Sequence, residues 1–355
     1  MWKLDINNKN LLCDLCSIIS PSTREMDLQR FLCEKFEEAG GSVSGDAMGN
    51  LYAYKNKESD FRIALIAHAD EVGIQISSIT EAGLLRFRKI GGVRATSLTG
   101  HKVCVKTEKG IVEGIIGCDP LQNNGTDNGI LVKTSDLWID IGAQNAEEAR
   151  NTVQVGDFGV FKPDFISLGK NRLASKAFDD RLGVFVMLEV MKELQKEDLD
   201  VGVLAVSSVQ EEISMRGIAA CKEKFSAAIV LDVDFATDVP VDNISMGDLS
   251  LGNGVGLNLN ADSNIVLQNI FCDVCKANSI LVQRTISRNI SGGTDSTIVQ
   301  SLGDIASLNI NLPLRYMHSH YEVCDIRDIE YAVNSVCELI RTVNRDNIRT
   351  FVPWN

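Results

Sequence analysis

An α/β fold interrupted by an inserted β unit is the class this sequence predicts, on three observations. Residues 62–70 (RIALIAHAD), 201–209 (VGVLAVSSV) and 226–234 (SAAIVLDVD) are nearly unbroken apolar runs, as in strands buried on both faces of a parallel sheet. Each run delivers ligand-type side chains at its end: His68 and Asp70, then Glu211 and Glu212, then Asp232 and Asp234. Ligands bind at the carboxyl ends of strands in open α/β sheets, so three such endings predict a metal site on a sheet edge. From about 72 to 164 the texture changes to short alternating segments broken by Gly, Asn and Thr, which predicts a small barrel or sandwich. A chain of 355 residues fits two domains, or one large domain carrying an insertion.

Taken in order, residues 10–19 carry Leu11, Leu12, Leu15, Ile18 and Ile19 at helical spacing, and Pro21 stops them. Ser22-Thr23-Arg24-Glu25 fits a capping box for a helix running to Glu38 and ending at Gly40-Gly41. A strand-and-turn region, 42–54, leads into the run at 62–70. Inside the insertion, strand signals fall at Ile74 to Ile79, Leu85 to Arg88, Val103 to Lys106, Ile111 to Ile116 and Trp138 to Ile141. Helical pattern returns at 182–196, with Asp179 and Asp180 at its positive end, where carboxylates are favoured. Gly292-Gly293-Thr294-Asp295 reads as a turn, 305–312 as a strand, and 328–344 as a closing helix.

A net charge of −13 argues against nucleic acid and anionic membrane surfaces as partners. No stretch reaches the roughly 20 apolar residues of a membrane span, and the first residues lack the apolar core of a secretion signal. The expectation is a cytoplasmic protein. Its ten cysteines include Cys13-x-x-Cys16 and Cys272-x-x-Cys275, but both pairs lie in apolar helical surroundings, where Cys is a small core hydrophobe.

Four histidines are present. His68 and His318 each follow a buried strand, whereas His101 opens an insertion strand and reads as a surface or interface imidazole. His318-Ser319-His320 would put two imidazoles on one strand face, so spacing alone leaves that choice open. The ordered motifs are AHADEVG (67–73), SKAFDDRLG (175–183), QEEISMRG (210–217), LDVDFATDVP (231–240), SGGTDS (291–296) and RYMHSHYEV (315–323). With DLWIDIGAQNAEEA (136–149) and VGD (155–157) in the insertion, they closely resemble the dinuclear metallo-aminopeptidases of the glutamyl and deblocking aminopeptidase family, whose members form tetrahedral particles.

The resemblance implies a mixed central sheet sandwiched by helices, zinc-peptidase-like, with an inserted barrel-like dimerisation domain. Residues 1–71 and 165–355 would form the catalytic domain and 72–164 the insertion. Asp179 would bridge two divalent ions per chain, Zn²⁺ or Co²⁺ foremost and Mn²⁺ also accepted. His68 and Asp232 would complete one site, and Glu212 and His318 the other. Glu211 would be the general base and Asp70 would orient His68, whereas Asp180 is a position where other members accept Asn. The implied substrates are peptides with a free N-terminus, and the implied assembly is dimers building a twelve-subunit particle. The chemistry agrees, because mixed His and carboxylate ligands suit these metals and such ions strongly favour ionising water.

Two other functions compete. Some relatives carry an endoglucanase label, and paired carboxylates such as Glu211 and Glu212 can hydrolyse glycosides. An inactive peptide-binding homologue is the third reading. The turn Gly252-Asn253-Gly254-Val255 lacks the Pro frequent in the family, and 257–290 is less typical, so a preference for acidic residues is not carried over.

Overall fold

The computed structural model describes residues 1–118, 132–236, 249–286, 293–303 and 305–344. Its centre is an eight-stranded mixed sheet. In spatial order the strands are Ser42–Gly45, Leu51–Lys55, Gly202–Ser208, Arg62–His68, Ala227–Phe235, Ala306–Leu314, Val255–Asn258 and Val282–Thr285. The four middle strands, from Gly202–Ser208 to Ala306–Leu314, run parallel, and antiparallel pairings flank them. All seven residues of Gly202–Ser208 are buried, as expected of a strand covered on both faces.

Alternation along the strands divides two apolar layers. Ile63, Leu65 and Ala67 face helices Ile6–Ser17, Met26–Glu38, Phe178–Glu193, Ile265–Ala277 and Ile326–Thr342. Ala64 and Ile66 face the opposite way, toward Ile218 and Val299 of the short helices Arg216–Ala220 and Asp295–Val299. The sheet is thus sandwiched by helices. Cys16 and Cys275 are buried on their helices, Cys13 and Cys272 half-buried, and all ten cysteines are free. No described helix is long and apolar enough to cross a membrane.

The insertion contains a closed six-stranded barrel with its own apolar core. Its strands are Gly73–Ile79, Leu85–Ile90, Lys102–Thr107, Gly110–Cys118, Leu137–Asp140 and Phe158–Phe161. Glycine is required where barrel strands approach closely. A Cβ at Gly159 would stand 2.7 Å from the Cys104 carbonyl oxygen. A separate three-stranded sheet, Ile166–Leu168, Arg172–Ser175 and Glu322–Asp325, returns the chain to the α/β body.

Two local expectations are corrected. The capping box at Ser22 to Glu25 does not form, because the helix begins only at Met26 and no side chain caps it. Ser22 Oγ instead donates to Asp70 Oδ2 at 2.6 Å, and Glu25 Oε1 accepts from the Thr23 and Gln210 amides. The helix expected from 182 begins at Phe178, but its backbone leaves helical geometry at Asp179 and Asp180, which are joined by a cis peptide bond. Asp180 caps the regular part, its Oδ1 accepting from Gly183 N at 3.0 Å, a contact typically worth about 1 kcal/mol.

Candidate metal centre

Parallel pairing brings the strand ends level. Ser208 lies beside His68 and Val230 beside Ile66, so Asp232, two residues further, emerges at the height of His68. Beyond Ser208 the chain turns through Gln210, at φ 58°, and presents Glu211 and Glu212 to the same edge. The break at Asp179 and Asp180 lets the first carboxylate enter this edge while the second turns back. Asp180 Oδ2 accepts from His68 N at 3.1 Å, so Asp180 anchors the strand end and its own helix.

Asp179 joins two groups of side chains. Its Oδ1 is 3.0 Å from His68 Nε2, and its Oδ2 is 3.1 Å from His318 Nε2. Asp232 completes the first group. Glu212 completes the second, its Oε1 standing 3.0 Å from His318 Nε2. Within each group the ligand-type atoms lie within 4.8 Å of one another. Glu211 belongs to neither group; its Oε2 is 4.0 Å from His68 Nε2.

Asp70 reaches further than its expected role beside His68. His68 Nδ1 lies 3.2 Å from the Asp70 carbonyl oxygen and 3.5 Å from Oδ1. The Asp70 carboxylate also accepts from Glu211 N at 2.9 Å and Glu212 N at 3.1 Å. One buried side chain therefore sets the imidazole and the paired glutamates together. Glu322 does the equivalent on the other side, accepting from Asp179 N at 3.0 Å and His318 N at 2.7 Å. Sequence reasoning gave Glu322 no role, although it lies inside the RYMHSHYEV motif; the only local signal was an acid in a strand between apolar neighbours. Asp295, noted only as part of a turn, is also buried here and accepts from Ser208 Oγ at 2.5 Å.

The two imidazoles of the HSH segment do not share a face. The strand ends at Leu314, and the turn that follows sends His318 to Asp179 and His320 toward the barrel. His101 meets His320 there, at an intramolecular interface. The motif ends 237–240 and 291–292 lie outside the described residues.

Carboxylates crowd the edge, and burial with mutual repulsion raises the proton affinity of several of them. Burial, followed by Asp232, Asp295 and Glu212 and opposed by His68, pushes Glu211 up to about 10. Burial and the charge of Asp179, opposed by His68, raise Asp232 to about 8. Burial and Asp179 likewise raise Glu322 to about 8. Burial would lower His318, but Asp179 and Glu212 outweigh it and carry the imidazole up to about 11. Burial would raise Asp179, yet His318 and His68 hold it well below the usual carboxylate range.

This donor set fits divalent cations. A single carboxylate offers one oxygen to each group, and each group combines imidazole nitrogen with carboxylate oxygen, ligands suited to Zn²⁺, Co²⁺ or Mn²⁺. Glu212 Oε1 is enclosed and accepts no hydrogen bond despite the nearness of His318 Nε2. A buried acceptor of this kind is costly unless something occupies its lone pairs.

A family model described as M42 glutamyl aminopeptidase matches residues 49–334. The lysyl aminopeptidase of Pyrococcus furiosus is 30% identical over 314 residues, covering 87% of this chain and 89% of its own. A TET aminopeptidase from a marine sediment archaeon (Thaumarchaeota) superposes with a TM-score of 0.90 at 31% identity, over 98% of this chain and 99% of that one. The TET1 peptidase of Pyrococcus horikoshii, which can assemble into a tetrahedron or a large octahedral shell, gives 0.84 at 30% identity, over 95% of this chain and 100% of that one.

Proposed function

Because the chain belongs to the M42 glutamyl aminopeptidase family, we propose that it removes N-terminal residues from peptides at a centre holding two divalent ions, with Glu211 as general base. The observation carrying this reading is the Asp179 carboxylate, one oxygen beside His68 and the other beside His318. His68, Asp179 and Asp232 would hold one ion, and Asp179, Glu212 and His318 the other. Such ions, when bound, polarise a peptide carbonyl and lower the pKa of water.

Glu211 supplies the proton transfer. It stands in neither ligand group, and Asp70 fixes its backbone beside the site. Its carboxylate takes the proton of the attacking water and returns it to the departing amine. Burial raises its proton affinity above that of an exposed carboxylate, in the direction a general base requires. A glycoside-hydrolase reading of Glu211 and Glu212 would leave His68, Asp179, Asp232 and His318 without a purpose. The residue preferred at the N-terminus is not carried over, since the family description says glutamyl and the Pyrococcus furiosus relative is lysyl.

Hydrolysis of a peptide panel, free or N-acetylated, before and after chelation, tests the reading. Free peptides should lose N-terminal residues only with metal restored, and acetylated ones should resist. Equal cleavage of both, or cleavage unaffected by chelator, would overturn it.

Residues 72–164 are proposed as the assembly unit, holding none of the assigned ligands, with 1–71 and 165–355 as the catalytic domain. Ile111, Ile115 and Val155 of the insertion are large apolar side chains left exposed, which contact with another copy would cover. The Pyrococcus horikoshii relative's tetrahedron or octahedral shell supports a larger particle, with dimers as its units and twelve subunits by family resemblance. Enclosure would admit short or unfolded peptides and exclude folded proteins. Light scattering at micromolar concentration should find the particle; a stable, active monomer would refute the assembly.

A further inference from the structure

We propose that the barrel positions His318 for metal binding through a clasp between His101 and His320, with His101 as the positioning residue. The inference rests on the two-ion reading above. His318 lies on a short loop between strands Ala306–Leu314 and Glu322–Asp325. Tyr316 and His318 have φ of 61° and 63°, a left-handed conformation that non-glycine residues adopt reluctantly and that surrounding contacts must hold. On the inner side, Arg315 and Val323 exchange backbone hydrogen bonds of 3.0 Å, and Glu322 accepts from His318 N.

The outer side is held by the insertion. His320 Nε2 lies 2.9 Å from the Lys162 carbonyl oxygen. A carbonyl only accepts, so in the neutral ring Nε2 bears the hydrogen and Nδ1 is the acceptor. His101 Nδ1, 2.9 Å away, must then donate to it. The His320 ring stacks on Phe161 at 5.4 Å and on Tyr321 at 4.3 Å, and Tyr321 Oη donates to Asp164. His101, Phe161, Lys162 and Asp164 all lie within the insertion.

A second contact falls on the same half of the centre. A Cβ at Gly92, in the barrel loop after Ile90, would stand 2.6 Å from His318 Nδ1, and one at Gly91 would stand 3.2 Å from Glu212 Oε2. Both barrel contacts thus bear on the Asp179, Glu212 and His318 group. Loosening the clasp should weaken one ion and spare the other.

The test compares two substitutions in the full chain, stripped of metal. His101→Phe keeps a ring against Phe161 but cannot donate, whereas His101→Asn keeps a donor near the position of Nδ1. Titration with Co²⁺, followed by its visible absorption, should show H101F losing about tenfold in affinity for one of two ions, as support residues behind metal ligands typically do. H101N should bind near wild type. Hydrogen exchange of the 316–321 amides, measured without metal, should quicken in H101F and not in H101N. Unchanged affinity and exchange in H101F would overturn the proposal, and so would failure of asparagine to rescue either. Should H101F not fold, H101N alone still decides, since weakening there also refutes the clasp. If wild type binds only one ion while exchange follows the expected pattern, the two-ion reading fails and the positioning role stands.

Discussion

Glu211→Gln should leave both proposed ions bound and lower kcat by roughly 10²–10⁴-fold, the usual contribution of a general base. The amide matches the carboxylate in shape, so the Asp70 bond to the residue 211 backbone survives. What disappears is the ability to take a proton. Because Glu211 stands outside both ligand groups, metal content should not move. The neighbouring Glu212→Gln should behave in the opposite sense. There the anionic oxygen beside His318 becomes a neutral amide, so binding in the Asp179, Glu212 and His318 group weakens and added metal restores part of the rate. Elemental analysis and steady-state kinetics on both variants separate the two roles. A Glu211→Gln protein that loses metal, paired with a Glu212→Gln protein that keeps it, would reverse the assignment.

Asp179→Asn should abolish activity and leave less than one tightly bound ion per chain, whereas Asp232→Asn should impair one site only. The difference follows from position, since among the described residues Asp179 alone contributes to both groups. It is also the counter-charge to both imidazoles. Wild-type binding should weaken as pH falls from 8 to 6. In the metal-free site Glu211 titrates at about 10, Asp232 at about 8 and His318 at about 11. Each pKa lies at or above this range, so these groups carry protons across it, and each unit of falling pH makes those protons harder to displace. Ions must displace the protons on the ligands Asp232 and His318, and affinity therefore rises with pH. Calorimetry in two buffers of different ionisation enthalpy should detect the released protons. A wild-type plateau at one ion, unaltered by Asp179→Asn, would defeat the shared-carboxylate arrangement.

Much of the fold was legible before any contact was known, because it rests on local patterning. The runs at 62–70, 201–209 and 226–234 became central strands, since continuous apolar residues can be accommodated only where both faces are covered. Alternation at Ile74, Ile76 and Leu85 to Arg88 became barrel wall for the complementary reason, one face turned inward and the other outward. The candidate ligands were legible as well, through motifs and their placement at strand ends. Tertiary structure decided what each polar side chain does. Ser22 and Glu25 had a local capping role available but bond Asp70, 48 residues away, and Gln210, 185 residues away. Glu322 holds the Asp179 amide across 143 residues, and His320 joins a barrel histidine 219 residues distant. Apolar periodicity is written among neighbours within one element. A buried hydrogen-bonding group instead takes whichever partner the packed chain brings within about 3 Å, and that choice exists only after strands, helices and barrel have met.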